Sequence, residues 1–153
     1  MKKLSLLILL ASLTGCASVS KQATNVYPEP KEDKGLVYFF RENKFAGWAI
    51  SYNIRHNNQI IGAISNGTYF YHFSEPGTQT FTSKTESEVS RTLDIVGGET
   101  YYIKMGVDMG FWAGRPSMAI VTEMEGKSVL PGLTFATKPQ KESSSREPAP
   151  MGQ

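Results

Sequence analysis

Gly35-Leu36-Val37-Tyr38-Phe39-Phe40-Arg41 is a run of five apolar, β-prone side chains ending at an arginine. Branched and aromatic residues favour a pleated backbone, and a run of this length reads as a strand. Downstream, Trp48, Ile50, Tyr52 and Ile54 alternate with Ala49, Ser51, Asn53 and Arg55, which is the period of two expected of a half-buried strand. Asn57-Asn58 predicts a tight hairpin turn, since Asn tolerates positive φ, and Gln59 to Ile64 returns from it. Turn signals at Asn66-Gly67, Pro76-Gly77 and Gly97-Gly98 separate strands over 68–73, 78–83, 89–96 and 101–107. Ser117 to Met124 reads as a further strand, and Val129 to Phe135 as another. The pattern predicts an all-β fold, a single small antiparallel β-sandwich with a partly open β-barrel as the alternative. No helix of sustained 3.6-residue period is expected beyond the N-terminal segment.

The N-terminus carries a second signal. Met1-Lys2-Lys3 precedes an apolar run from Leu4 to Leu13, followed by Thr14-Gly15-Cys16. A basic start, a short apolar stretch and small residues before a cut read as an export signal. The run is far shorter than the roughly 20 residues a membrane-spanning helix needs. Leu13-Thr14-Gly15-Cys16 resembles the bacterial lipobox, which implies cleavage between Gly15 and Cys16 and lipidation of Cys16, the only cysteine. Lipobox proteins typically carry three acyl chains, and two already suffice for stable anchoring. Ala17, rather than Asp, follows the cysteine; in the sorting rule this resembles, that favours the outer membrane, periplasmic face.

Four segments follow: residues 1–15 as signal peptide, 16–34 as a lipidated flexible tether rich in polar residues and proline, 35–137 as the β domain, and 138–153 as a tail of disordered composition. The chain has 16 Lys+Arg against 14 Asp+Glu, and loss of Lys2 and Lys3 with the signal equalises them at 14. No basic stripe is then left for nucleic acid. With its one cysteine lipidated, the chain can form no internal disulfide.

Gly35–Arg41, the hairpin from Ile54 to Gly62, Asn66-Gly67-Thr68-Tyr69, Glu75-Pro76-Gly77 and Gly97-Gly98-Glu99-Thr100-Tyr101-Tyr102-Ile103 occur in an order that resembles a family of small bacterial lipoproteins defined as a domain of unknown function. The resemblance covers roughly 35–107. It implies a β-sandwich and supplies no catalytic residues.

The residues themselves offer little catalytic chemistry. His56 abuts the Asn57-Asn58 turn and is expected in solvent, while His72 sits in a strand pattern. Two histidines without His-x-His or His-Glu-x-x-His spacing give no metal site, and no cofactor is expected. Ser74 or Ser83 with His72 and Asp94 would make a triad only by spatial convergence, without a Gly-x-Ser-x-Gly elbow. Glu86 and Glu88, like Glu123 and Glu125, read as solvated strand edges.

Two aromatic–glycine loops stand out: Asn43-Lys44-Phe45-Ala46-Gly47-Trp48, and Asp108 to Pro116 with Phe111, Trp112 and Arg115. Exposed, Phe45, Trp48, Phe111 and Trp112 would form an apolar patch able to grip a partner, with Arg115 as a planar donor beside it. Buried, they would cap the core, and Trp48 shares the parity of Ile50 and Tyr52. The role expected is that of a lipid-anchored envelope lipoprotein, a non-enzymatic module contacting an envelope protein or a glycan. A binder of a small apolar ligand inside a barrel, and an envelope hydrolase using His72 or His56, remain as alternatives.

Overall fold

The computed structural model describes residues 24–84, 87–109 and 114–136. The apolar run forms β1 (Gly35–Arg41), in which every residue is buried. A half-buried strand hides one face; β1 hides both, because Val37 and Phe39 face the core between two sheets while Leu36, Tyr38 and Phe40 face a second core outside. The chain continues through β2 (Tyr52–His56), β3 (Gln59–Ile64), β4 (Thr68–Ser74), β5 (Gly77–Lys84), β6 (Glu88–Ile95), β7 (Thr100–Met109) and β8 (Gly114–Val121). A helix, α1 (Glu123–Val129), a 3-10 turn (Leu130–Gly132) and a two-residue strand, β9 (Thr134–Phe135), complete it.

The sheets run β8-β7-β1-β4-β9 and β3-β2-β5-β6. Neither closes on itself, so the fold is an all-β sandwich, and the barrel alternative, with a ligand held inside the barrel, is set aside. Alternation in the sequence marks which side chains point inward but not whether a ladder closes. The inter-sheet space is filled by Phe39, Phe70, Phe81, Ile54, Ile103 and Met105, among others, with Phe39 stacked on Phe70 at 5.0 Å. Within the sandwich two ladders depart from antiparallel pairing: β1 runs parallel to β7, and β4 parallel to β9. The chain builds the second sheet between β1 and β7, apart from β4, so it re-enters the first sheet from the same end. The Asn57-Asn58 hairpin turn forms as expected, with φ of 50° and 62°.

The sequence reading missed α1. Its seven residues are too few for a visible 3.6-residue stripe, and Ser117–Met124 was expected to be strand throughout. The strand ends at Val121, and Thr122 caps the helix by accepting a hydrogen bond from the Glu125 N–H at 3.3 Å. Thr122-x-x-Glu125 is the spacing of a capping box, the one local signal that marks the change. Glu123 and Glu125 therefore lie on a helix, not on a strand edge; Glu123 pairs with Lys127 at 2.5 Å. Of the stretch expected as strand over 129–135, only Thr134–Phe135 pairs with a neighbour.

Helix α1 and the turn after it cover the outer face of the first sheet, with Leu130 and Leu133 packed against Tyr38, Phe40, Tyr69 and Tyr102. Residues 24–34, read as part of the tether, also lie on this face. The Val26 N–H donates to the Tyr69 hydroxyl at 2.9 Å, the hydroxyl donates to the Val26 carbonyl at 3.1 Å, and Tyr27 stacks on Tyr69 at 5.5 Å. The proposed signal and tail segments lie outside the described residues.

Gly126 sets how closely α1 approaches. A β-carbon there would meet the Tyr102 ring at 2.1 Å, and Tyr102 is itself buried and stacked on Tyr38. Gly126→Ala is expected to destabilise the fold by about 1–2 kcal/mol in urea denaturation, overpacking exceeding the gain in helix propensity. Exposed Met124→Ala on the same helix should change stability by less than about 0.5 kcal/mol.

Candidate binding surface

Arg41 has the inward parity of Val37 and Phe39, so β1 ends by driving a guanidinium into the edge of the core. It is only 3% exposed. Nη1 donates to the Ile50 carbonyl and Nη2 to the Gly47 carbonyl, both at 2.6 Å, while the cation lies over the Tyr52 ring at 5.5 Å. Burial holds the guanidinium below its ordinary pKa, with Tyr52 opposing that shift. A planar fork can satisfy two carbonyls at once, so Arg41 clamps the 42–51 loop from beneath.

Gly47 is required at the clamp on two grounds. Its φ is +70°, and a β-carbon would lie 2.9 Å from Val107 Cγ2 and 3.3 Å from Arg41 Nη2. The Trp48 N–H donates to the Phe45 carbonyl at 3.3 Å and the Ile50 N–H to the Gly47 carbonyl at 3.0 Å. This turn breaks the alternation: Ile50 and Tyr52 pack inward, whereas Trp48 is 64% and Phe45 93% exposed. Strand β2 accordingly starts at Tyr52, four residues after the expected beginning.

Beside Trp48 opens a cleft of about 340 Å³ lined by Asn43, Ser65, Asn66, Gly67, Gly132 and Thr134. Asn66 is held at both ends of its amide: Oδ1 accepts from the Lys44 N–H at 3.0 Å, and Nδ2 donates to Asn43 Oδ1 at 2.6 Å. The Thr134 N–H donates to the Gly67 carbonyl at 3.0 Å, closing the far wall.

Phe111 and Trp112 lie outside the described residues. The strands flanking their loop do approach the first loop, through Val107 under Gly47 and a shared depression lined by Arg41, Ala46 and Asp108. Arg115 is exposed and opposite Asp108 in the β7–β8 ladder. Below, Lys104 bridges Glu42 at 3.1 Å and Glu125 at 3.0 Å, tying the start of the loop to α1. The hydrogen bond from Lys104 chiefly holds the Glu42 carboxyl below its usual range.

The histidines meet toward the other end of β1. Their rings lie 5.4 Å apart, edge to face. His56 is half-buried rather than solvated, because its Nε2 pairs with Gln79 Oε1 at 2.7 Å and its ring rests on Phe81 at 4.9 Å. Burial lowers the His72 pKa to about 4, helped by the neighbouring His56 and Lys34 charges; Lys34 is itself paired with Glu75. Ser74 Oγ and Ser83 Oγ are buried without a hydrogen-bond partner, and Asp94 accepts from Thr78 at 2.7 Å. The structure thus joins neither serine to His72. Among the described residues no group of three or more His, Cys, Asp or Glu is placed to hold a metal.

An all-β sandwich with one clamped aromatic loop defines the class of this protein. A family model described as a protein of unknown function (DUF2846) matches residues 31–117, and the chain belongs to that family. The match runs from the turn before β1 into β8 and includes both aromatic loops. No curated protein and no solved structure matches the chain. Sequence reading had not found Arg41. Its signal was parity: a cation two residues beyond Phe39 on a strand whose inward side is otherwise apolar.

Arg41→Met should cost about 2–4 kcal/mol, because the Ile50 carbonyl loses the guanidinium and the Gly47 carbonyl keeps only the Ile50 N–H. It should also make the chain cleavable by protease between Phe45 and Trp48 under native conditions, with Arg41→Lys restoring only part of the protection. A second expectation concerns acid. A histidine whose folded pKa is depressed contributes nothing above its unfolded value near 6.5, and stability falls as pH drops from there toward 4. Between pH 7 and 4.5 the wild type should lose about 1–2 kcal/mol more than His72→Phe; equal losses in denaturation curves would remove His72 from this role.

Proposed function

We propose that this protein is a lipid-anchored cell-envelope lipoprotein whose sandwich is a non-enzymatic binding module, acting through the Phe45–Trp48 loop on an envelope protein or a glycan. The observation that carries this reading is the pairing of a rigid support with an apolar tip. Phe45 and Trp48 are large aromatics in water, yet the buried Arg41 holds the carbonyls of Gly47 and Ile50 in the same loop. Aromatic anchors on an ordered loop lose little entropy when covered, and such residues dominate recognition surfaces. Phe111 and Trp112, outside the described residues, and Arg115 are proposed as partner-binding residues from the sequence alone.

The anchor rests on Leu13–Cys16 and its resemblance to the lipobox. Lipidation at Cys16 would act on a short lead. Val26 is already bonded to Tyr69, so about ten residues separate the lipid from the sandwich, or roughly 35 Å fully extended. The module would therefore work close to the membrane surface, and the outer membrane, periplasmic face, is the location the sequence after the cysteine favours.

Cys16→Ala is expected to move the protein from the membrane to the soluble fraction while leaving its urea midpoint unchanged. A photo-crosslinker at position 45 in intact cells should give a discrete adduct that is lost with Trp48→Ala and absent from a probe at position 57. Equal labelling from positions 45 and 57 would count against the loop as a recognition surface.

A further inference from the structure

We infer that the cleft between Trp48 and the Asn66 turn is a subsite for one residue of an uncharged glycan. This rests on the reading of the Phe45–Trp48 loop as a binding surface and gives its ligand a chemical class. A pyranose ring presents a C–H face that stacks on an aromatic plane, and a rim of hydroxyls that both donate and accept. The cleft supplies both halves of that pattern. Trp48, 64% exposed, forms one wall. Side chains able to donate and accept, Asn43, Ser65, Asn66 and Thr134, line the rest together with Gly67 and Gly132.

The lining contains no Asp, Glu, Lys, Arg or His. An anionic ligand would find no cation in the wall, and the nearby Lys44 is already paired with Glu42 at 3.2 Å. A wholly apolar ligand would cover amide and hydroxyl groups without satisfying them, which is costly. The volume of about 340 Å³ falls within the range of small-ligand sites.

The polar groups are also placed in advance. With Asn66 fixed between the Lys44 N–H and Asn43 Oδ1, the Asn43 Nδ2 can donate to a ligand. The backbone that carries Trp48 is held by the Arg41 clamp and the Gly47 turn. Recognition by one stacked ring and a few fixed hydrogen bonds is weak per sugar residue. Repetition along a polymer and retention at the membrane would raise it.

The test uses the full-length protein in a zwitterionic detergent without a sugar headgroup, labelled with nitrogen-15. Chitotetraose and maltotetraose are titrated separately, with inorganic phosphate as the anionic comparison. Saturable shifts at millimolar sugar in the Trp48 indole and the Asn43 and Asn66 side-chain amides are expected from at least one tetrasaccharide. Trp48→Ala and Asn43→Asp should each weaken the effect at least tenfold. No saturable shift from either sugar at tens of millimolar, or shifts from phosphate alone, would overturn the inference. A position-45 protein crosslink surviving that negative result would leave the binding module standing with a protein partner; loss of both would remove the two readings together.

Discussion

Strand β1 is dry on both faces, and the rest of the molecule is arranged around that fact. Leu36, Val37, Tyr38, Phe39 and Phe40 are each 4% exposed or less. Burying a large apolar side chain is worth about 1.5–3 kcal/mol, and here five consecutive ones contribute to two cores through one backbone. Side chains alternate, so a slip of one residue would exchange Phe39 with Tyr38 or Phe40 and spoil both cores. The strand needs a neighbour on either side, supplied by β4 and β7, and a cover on its outer face. Helix α1, Leu133 and the 24–34 segment provide that cover.

The same strand determines where the exposed aromatic loop is held. Its inward parity continues one step beyond Phe39, to a residue that must leave the core as the chain crosses to the second sheet. Arg41 occupies that position and spends its charge on two backbone carbonyls rather than on water. The loop above is therefore tied to the core at Gly47 and Ile50, while Trp48 faces solvent. A lysine ammonium would offer no planar fork for this geometry.

Much of this was legible in the sequence, for identifiable reasons. Period-two alternation and the Asn57-Asn58, Asn66-Gly67 and Pro76-Gly77 signals located most strands, since turn chemistry is local. Sheet order and the two parallel ladders were not legible, because alternation is blind to strand direction. Helix α1 was missed because seven residues carry no stripe, although Thr122 and Glu125 mark its start. Trp48 had the parity of Ile50 and Tyr52, but the Gly47 turn overrode parity and turned it outward. The meeting of His56 with His72, from strands of different sheets, could come only from coordinates.

Hydrogen exchange tests the central claim most directly, namely that β1 is the shared spine of both cores and of the loop clamp. Amides at Val37 to Phe40 are expected to exchange only through global unfolding, with the same denaturant dependence as the whole protein, and the Ile50 amide should follow within the loop's own smaller opening. Exchange of the β1 amides through a local opening that leaves β5 and β6 protected would contradict it.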